Sequence, residues 1–280
     1  TSNDDTNLEY VNQASMVSSK NHIQTHDLDN TSLTCWNEKA QYGCRNSNLA
    51  MTTASTFCSA DTIPLYINDE TVPSCGHRRW ILNPPFAEVA AGVAESNSAL
   101  LVMGSANRNN TYIPSVIAYP PPGPIPSDVV YTHWSFSRQY NPATQSTHNM
   151  PQDSKVELVC NGKTIPVTPT IEEENLAMYP GAVLFDGGKL ASGSMCSVKI
   201  SSDSLDTEWQ YNVYAIKCVD GKAEDIPDGA NVDGSPKKGL SGGAVAAIVI
   251  VVIVVVIVAV YGVFIFVKKR QESPSVHAEA

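Results

Sequence analysis

Hydrophobic and polar positions change their rhythm several times along this chain. Leu8, Val11, Ser15 and Ser18 fall at helical spacing behind a Thr6-x-x-Glu9 capping box, which predicts a helix running to about Lys20. Asn48 to Met51 and Ile63 to Ile67 read as further helical turns, with Pro64 restricting where the second can begin. Beyond Pro85, the apolar runs 87–94 and 99–103 are separated by Glu95-Ser96-Asn97-Ser98 in a hairpin pattern, and 115–119 offers a third strand. Helices followed by antiparallel strands predict an α+β unit.

The stretch Tyr119-Pro120-Pro121-Pro122-Gly123-Pro124-Ile125-Pro126 suits neither helix nor central strand and marks the exit from that unit. After it the period becomes two. Lys155 to Cys160 alternates, Asn161-Gly162 is a tight-turn dipeptide, and Thr164 to Val167 returns as an edge strand containing Pro166. Ser194 to Ile200 and Glu208 to Lys217 alternate as well, so residues 151–220 read as a small antiparallel β-domain of the sandwich type. Residues 221–243, with Pro227, Pro236 and few large apolar side chains, read as a flexible stalk.

From Ala244 to Val267 alternation stops altogether: 24 residues pass without a charge. As a helix they would rise about 36 Å against a hydrocarbon core of roughly 30 Å, which predicts one transmembrane helix. Lys268, Lys269 and Arg270 follow at once and assign the tail 268–280 to the cytoplasm, leaving everything before the run outside a plasma membrane. Gly243-x-x-x-Ala247 is a small-residue pairing pattern at the outer edge of the run. The chain opens at Thr1 with neither Met nor apolar leader, which implies a removed signal peptide or a truncated chain.

Cysteine and charge distribution agree with that orientation. All seven cysteines precede the apolar run, as an oxidising exterior requires. Asn30-Thr31-Ser32 and Asn109-Asn110-Thr111 are glycosylation sequons, making Asn30 and Asn109 candidate acceptors. Residues 1–243 hold 15 basic and 26 acidic side chains, a net charge of −11, which argues against nucleic acid or anionic lipid as partner. Cys35, Cys44, Cys58 and Cys75 allow three pairings, of which Cys35–Cys44 with Cys58–Cys75 is preferred. Among the other three, Cys196 and Cys218 sit on predicted strands and could bridge, with Cys160 left over.

The segment Cys75-Gly76-His77-Arg78-Arg79-Trp80-Ile81-Leu82-Asn83-Pro84 carries the most chemistry. A Cys75–His77 thiolate pair and a Ser74–His77–Asp69 triad are both available in composition, but no Gly-x-Ser-x-Gly elbow supports the second. Preceded by Asn68-Asp69-Glu70-Thr71-Val72-Pro73-Ser74, the segment resembles the CAP superfamily, the group of cysteine-rich secretory, antigen-five and pathogenesis-related proteins, in its bacterial-type form. His22 and His26 at the end of the first helix, Asn48-Leu49-Ala50, and Trp134-Ser135-Phe136-Ser137 fit the same order, so the likeness covers roughly residues 5–140.

That resemblance implies an α-β-α sandwich over residues 1–140 and a cleft tetrad of two His and two Glu able to hold a divalent metal such as zinc. Its residues map to His26 and His77, with Glu70 as an approximate match, while Ser47 stands where the other Glu would be. His22, His133, His148 and His277 read as non-ligands. The resulting expectation is a single-pass cell-surface protein of α+β class, whose CAP-like cleft binds an extracellular ligand: a lipid or sterol, a peptide, or a host surface molecule. Its rivals are a metal-assisted peptidase using His26, His77 and Glu70, and an adhesive spacer with no localised site.

Overall fold

A computed structural model of the chain describes residues 2–53, 59–83, 89–103, 116–138, 150–176, 179–204, 208–220 and 222–226. Helix α1 (Ser2–Asn21) starts ahead of Thr6, so the capping box lies inside it. Val11, Ala14 and Val17 fall on one face and are completely buried. Asn37 opens α2 (Glu38–Arg45) by accepting a hydrogen bond from the Ala40 amide, which satisfies one of the donors that a helix start leaves free. The two helices meet at Gly43, where an added Cβ would lie 2.3 Å from the Tyr10 carbonyl oxygen.

Strands β1 (Ser47–Met51), β2 (Ala90–Ala94) and β3 (Asn97–Leu101) form an antiparallel sheet in the order β1-β3-β2. A strand, not the expected helical turn, therefore spans Asn48 to Met51. The reason is alternation: Leu49 packs with Leu101 and Val11 on one side of the sheet, whereas Ala50 packs with Leu100 and Tyr66 on the other. Helix α1 lies so close to this sheet at Gly92 that a Cβ there would sit 2.4 Å from the Val11 carbonyl carbon. On the opposite face are α3 (Ser59–Asn68) and α4 (Gly76–Ile81), contributing Tyr66, Trp80 and Ile81.

Strands dominate from residue 116 onward. One sheet has the order β4 (Val116–Tyr119), β6 (His133–Arg138), β10 (Tyr179–Asp186), β9 (Thr170–Leu176). The other has the order β13 (Lys222–Glu224), β12 (Trp209–Val219), β11 (Met195–Ser201), β7 (Lys155–Cys160), β8 (Lys163–Ile165). Strand β5 (Gly123–Pro126) joins the second sheet by running parallel to β12, so the Pro-rich stretch supplies an edge strand. Trp134, Phe136, Leu158, Val198, Ile200, Trp209 and Val213 fill the core between the sheets.

The expected class, α+β built on a CAP-like α-β-α sandwich with a transmembrane helix, is corrected by this architecture. Three β-sheets dominate the described residues and the α-helices among them are confined to residues 2–81. Residues 116–138, expected to complete the first unit, instead pair with β10 and β12. No helix among the described residues is long and apolar enough to cross a membrane. The run 244–267 and the tail 268–280 lie outside the described residues, and the single-pass plasma-membrane placement is not supported. Of the expected stalk, residues 222–226 are described, and β13 folds back onto β12 as a hairpin.

The cysteines are also arranged differently from expectation. Cys160 on β7 faces Cys196 on β11, and the two form a disulfide. The expected Cys196–Cys218 bridge is excluded by register, since Val213 is the β12 residue opposite Cys196. Cys35 is exposed and Cys44 buried, both as free thiols, so their expected pairing is absent. Cys58 lies outside the described residues, and Cys75 is a free thiol packed against Ala182 and Leu184. Burial pushes the Cys44 thiol up to about 11, and Cys75 is raised for the same reason. At pH 8 a thiol-reactive dye should label Cys35 and Cys218 readily and Cys44 about 100-fold more slowly, in proportion to its thiolate fraction. Peptide mapping that found Cys44 labelled as fast as Cys35 would contradict its burial.

Candidate functional site

Arg78 anchors the segment that carries the chemistry. Its side chain has no exposure to water. Nε donates to the Ile67 carbonyl at 2.7 Å, Nη2 to the Asn68 carbonyl at 2.9 Å, and Nη1 to the His133 carbonyl at 2.8 Å and the Ser135 hydroxyl at 3.2 Å. The guanidinium also lies 4.2 Å from the centroid of the Tyr119 ring. Burial lowers its pKa from the usual arginine value. These acceptors come from the end of α3 on one side and from β6 on the other, so α4 is fixed to the four-stranded sheet.

Asp69 orients the next residue in the chain of contacts. Its backbone is left-handed, at φ 50°, a conformation that Asp adopts more readily than most residues. The buried carboxylate accepts from His77 Nδ1 at 2.8 Å and from the Arg78 amide at 3.1 Å. The His77 carbonyl in turn accepts from Asn48 Nδ2 at 2.9 Å. Ring, backbone and helix start are thereby held together.

His26 approaches from the loop after α1. Its Nδ1 lies 2.8 Å from the Cys44 carbonyl oxygen, which can only accept, so the proton between them belongs to the ring. Arg45 Nη2 clasps the same loop through Asp27 at 2.9 Å and Asp29 at 2.7 Å. The hydrogen bond from Arg45 holds the Asp27 carboxyl below the usual aspartate range. Trp36 Nε1 donates to the Leu28 carbonyl, and Leu28 is buried beneath the loop.

His26 and His77 line one open cleft of about 310 Å³, together with Arg45, Ser47, Asn48, Ser74, Trp80 and apolar side chains that include Val72 and Val102. Both Nδ1 atoms are engaged elsewhere, which leaves Nε2 of each ring for the cleft. Glu70 is exposed and absent from the lining, with its carboxylate 3.5 Å from Asn68 Nδ2. Ser47 is in the lining, buried, and its hydroxyl has no hydrogen-bond partner. The expected metal set is therefore not assembled: among the described residues no three His, Cys, Asp or Glu side chains come together, whereas zinc sites use three or four.

The other candidates separate clearly. Asp69 and His77 are paired and Ser74 shares the cleft, but no hydrogen bond joins Ser74 to His77 among the described residues. Cys75 adjoins His77 in sequence yet points into the apolar cluster with Ala182, so no thiolate–imidazole pair forms. His22 is exposed, and His133 is used through its backbone oxygen. Asn30 is exposed, its Oδ1 accepting from Ser32, while Asn109, His148 and His277 lie outside the described residues. Sequence reasoning missed Arg45 and Trp80 as lining residues. The Asp27-x-Asp29 pair, matched to a basic residue in the last turn of α2, was the available signal for Arg45.

No protein-family model matches the chain. No curated protein matches it.

Two outcomes test this geometry. Arg78→Ala removes the donors of four hydrogen bonds to partly or fully buried acceptors and should cost about 3 kcal/mol or more, read from a urea unfolding midpoint. An unchanged midpoint would mean that the guanidinium is not the tie between α4 and the sheet. The chain dialysed against EDTA should keep its melting temperature, and isothermal titration with zinc should show at best weak binding. Ser47→Glu, by adding a carboxylate to the two imidazoles, should tighten zinc at least tenfold. Tight binding by the unaltered chain would show that a further ligand reaches the cleft.

Proposed function

We propose that this protein is a binding protein without an active centre, and that the His26–His77 cleft takes a small, polar extracellular ligand. The single observation that carries the reading is the pair of imidazoles, each fixed through Nδ1 and both lining the same open cleft. The CAP likeness of the Cys75–Pro84 segment is part of this proposal, because it is the likeness that draws attention to those two histidines. The Cys160–Cys196 disulfide supports an oxidising compartment, where such a ligand would be met.

Among the expected ligand classes, the lining favours a peptide or a host surface molecule over lipid or sterol. A lipid would strip water from the imidazoles, Asn48 and Ser74 without replacing its hydrogen bonds. The peptidase reading loses its base, since Glu70 stands outside the cleft and no other carboxylate belongs to the lining among the described residues.

Binding of the fluorescently labelled full chain to intact cells tests the proposal. His26→Ala and His77→Asn should each weaken binding at least tenfold, about 1.4 kcal/mol. Lys199→Ala, on β11 well away from the cleft, should leave it unchanged. Equal binding by all three variants would favour the adhesive spacer and remove the cleft from consideration.

A further inference from the structure

We infer that the cleft is a saccharide site, built to take the hydroxyl edge of one or two sugar rings of a surface glycan. This rests on the cleft reading above and narrows it to a ligand class. The Cys44 carbonyl and the Asp69 carboxylate both accept, so each imidazole carries a proton on Nδ1, and in its neutral form presents a lone pair at Nε2. Asn48 donates its amide nitrogen to the His77 carbonyl, so the acceptor end of its amide is Oδ1. The cleft therefore gathers two imidazoles and an amide, all able to accept hydrogen bonds, beside the Ser74 hydroxyl.

Charge disfavours both cationic and anionic ligands. No carboxylate lines the cleft among the described residues, so a cationic ligand finds no counter-ion. Arg45 is the one arginine or lysine of the lining among those residues, and its single charge is already paired with two carboxylates, Asp27 and Asp29. An anionic ligand would thus meet an arginine already in use. What remains is an uncharged ligand rich in groups that donate and accept at once, and a hydroxyl is that group.

Shape and apolar surface agree. The volume of about 310 Å³ lies at the small end of small-molecule sites, which run from about 300 to 1,000 Å³. Half-buried Trp80, with Val72, gives one wall an apolar face next to the polar one. A sugar ring has the same division, with C–H groups on its face and hydroxyls around its edge. A peptide strand offers fewer donors, one backbone N–H per residue at a rise of about 3.3 Å.

Saturation-transfer NMR of the full chain with methyl α-mannoside, methyl β-galactoside, N-acetylglucosamine, lactose and chitobiose, extended to immobilised glycans, tests the inference. At least one saccharide should bind, compete with cell binding, and lose at least tenfold in affinity in His26→Ala and His77→Asn. His26 is exposed, so its variant keeps the test readable if the His77 variant fails to fold. Absence of binding across the whole set, or saccharide binding unchanged in both variants, overturns it. Should peptides, and no saccharide, compete for cell binding in a histidine-dependent way, the saccharide assignment falls and the cleft reading stands. Histidine variants that bind cells as the unaltered chain does would overturn both.

Discussion

A guanidinium held entirely out of water is the constraint on which the rest of this molecule depends. An unpaired buried charge costs several kcal/mol, so Arg78 is tolerable only because carbonyls from α3 and from β6, a serine hydroxyl and a tyrosine face converge on it. Those acceptors belong to segments far apart in sequence. The helical part and the β-rich part therefore have to be present together, and a fragment ending near residue 103 would keep the cleft lining while losing three of the five partners of Arg78. Cys75 repeats the junction in apolar terms through Ala182 and Leu184.

Fixing α4 in this way also fixes His77. Asp69 serves the imidazole with one oxygen and the Arg78 amide with the other, so orientation of the ring and the start of the helix are one event. His26 reaches the same position by unrelated means, a loop held to α2 through a backbone carbonyl and an aspartate–arginine clasp. Two rings held independently thus line one cleft, whose polarity is set by the fold itself.

Periodicity revealed the α1 helix, the β2–β3 hairpin and the alternating strands β7, β11 and β12, because each carries its signal within a few residues. It misread Asn48 to Met51, a short strand buried on both faces that has no polar side to alternate with. The resemblance grouped residues up to 140 with the helices; strand pairing across long stretches of chain, which local pattern does not encode, joins residues 116–138 to β10 and β12. Of the site, the two histidines were legible through the resemblance. Glu70 was not where proximity suggested: it follows the left-handed Asp69, is exposed, and sets its carboxylate beside Asn68. Disulfide partners depended on cross-strand register and were out of reach of spacing alone.

The clasp around the His26 loop has a consequence for acid tolerance. Its pairing with Arg45 holds Asp27 below the ordinary aspartate value of 3.8, so the clasp is complete above that value and is lost only as pH falls through the lowered range. Neutral and mildly acidic surroundings therefore leave the rim closed around His26. Only strongly acid surroundings would open the clasp, and the loop would then be held by the His26–Cys44 and Trp36–Leu28 hydrogen bonds and the packing of Leu28.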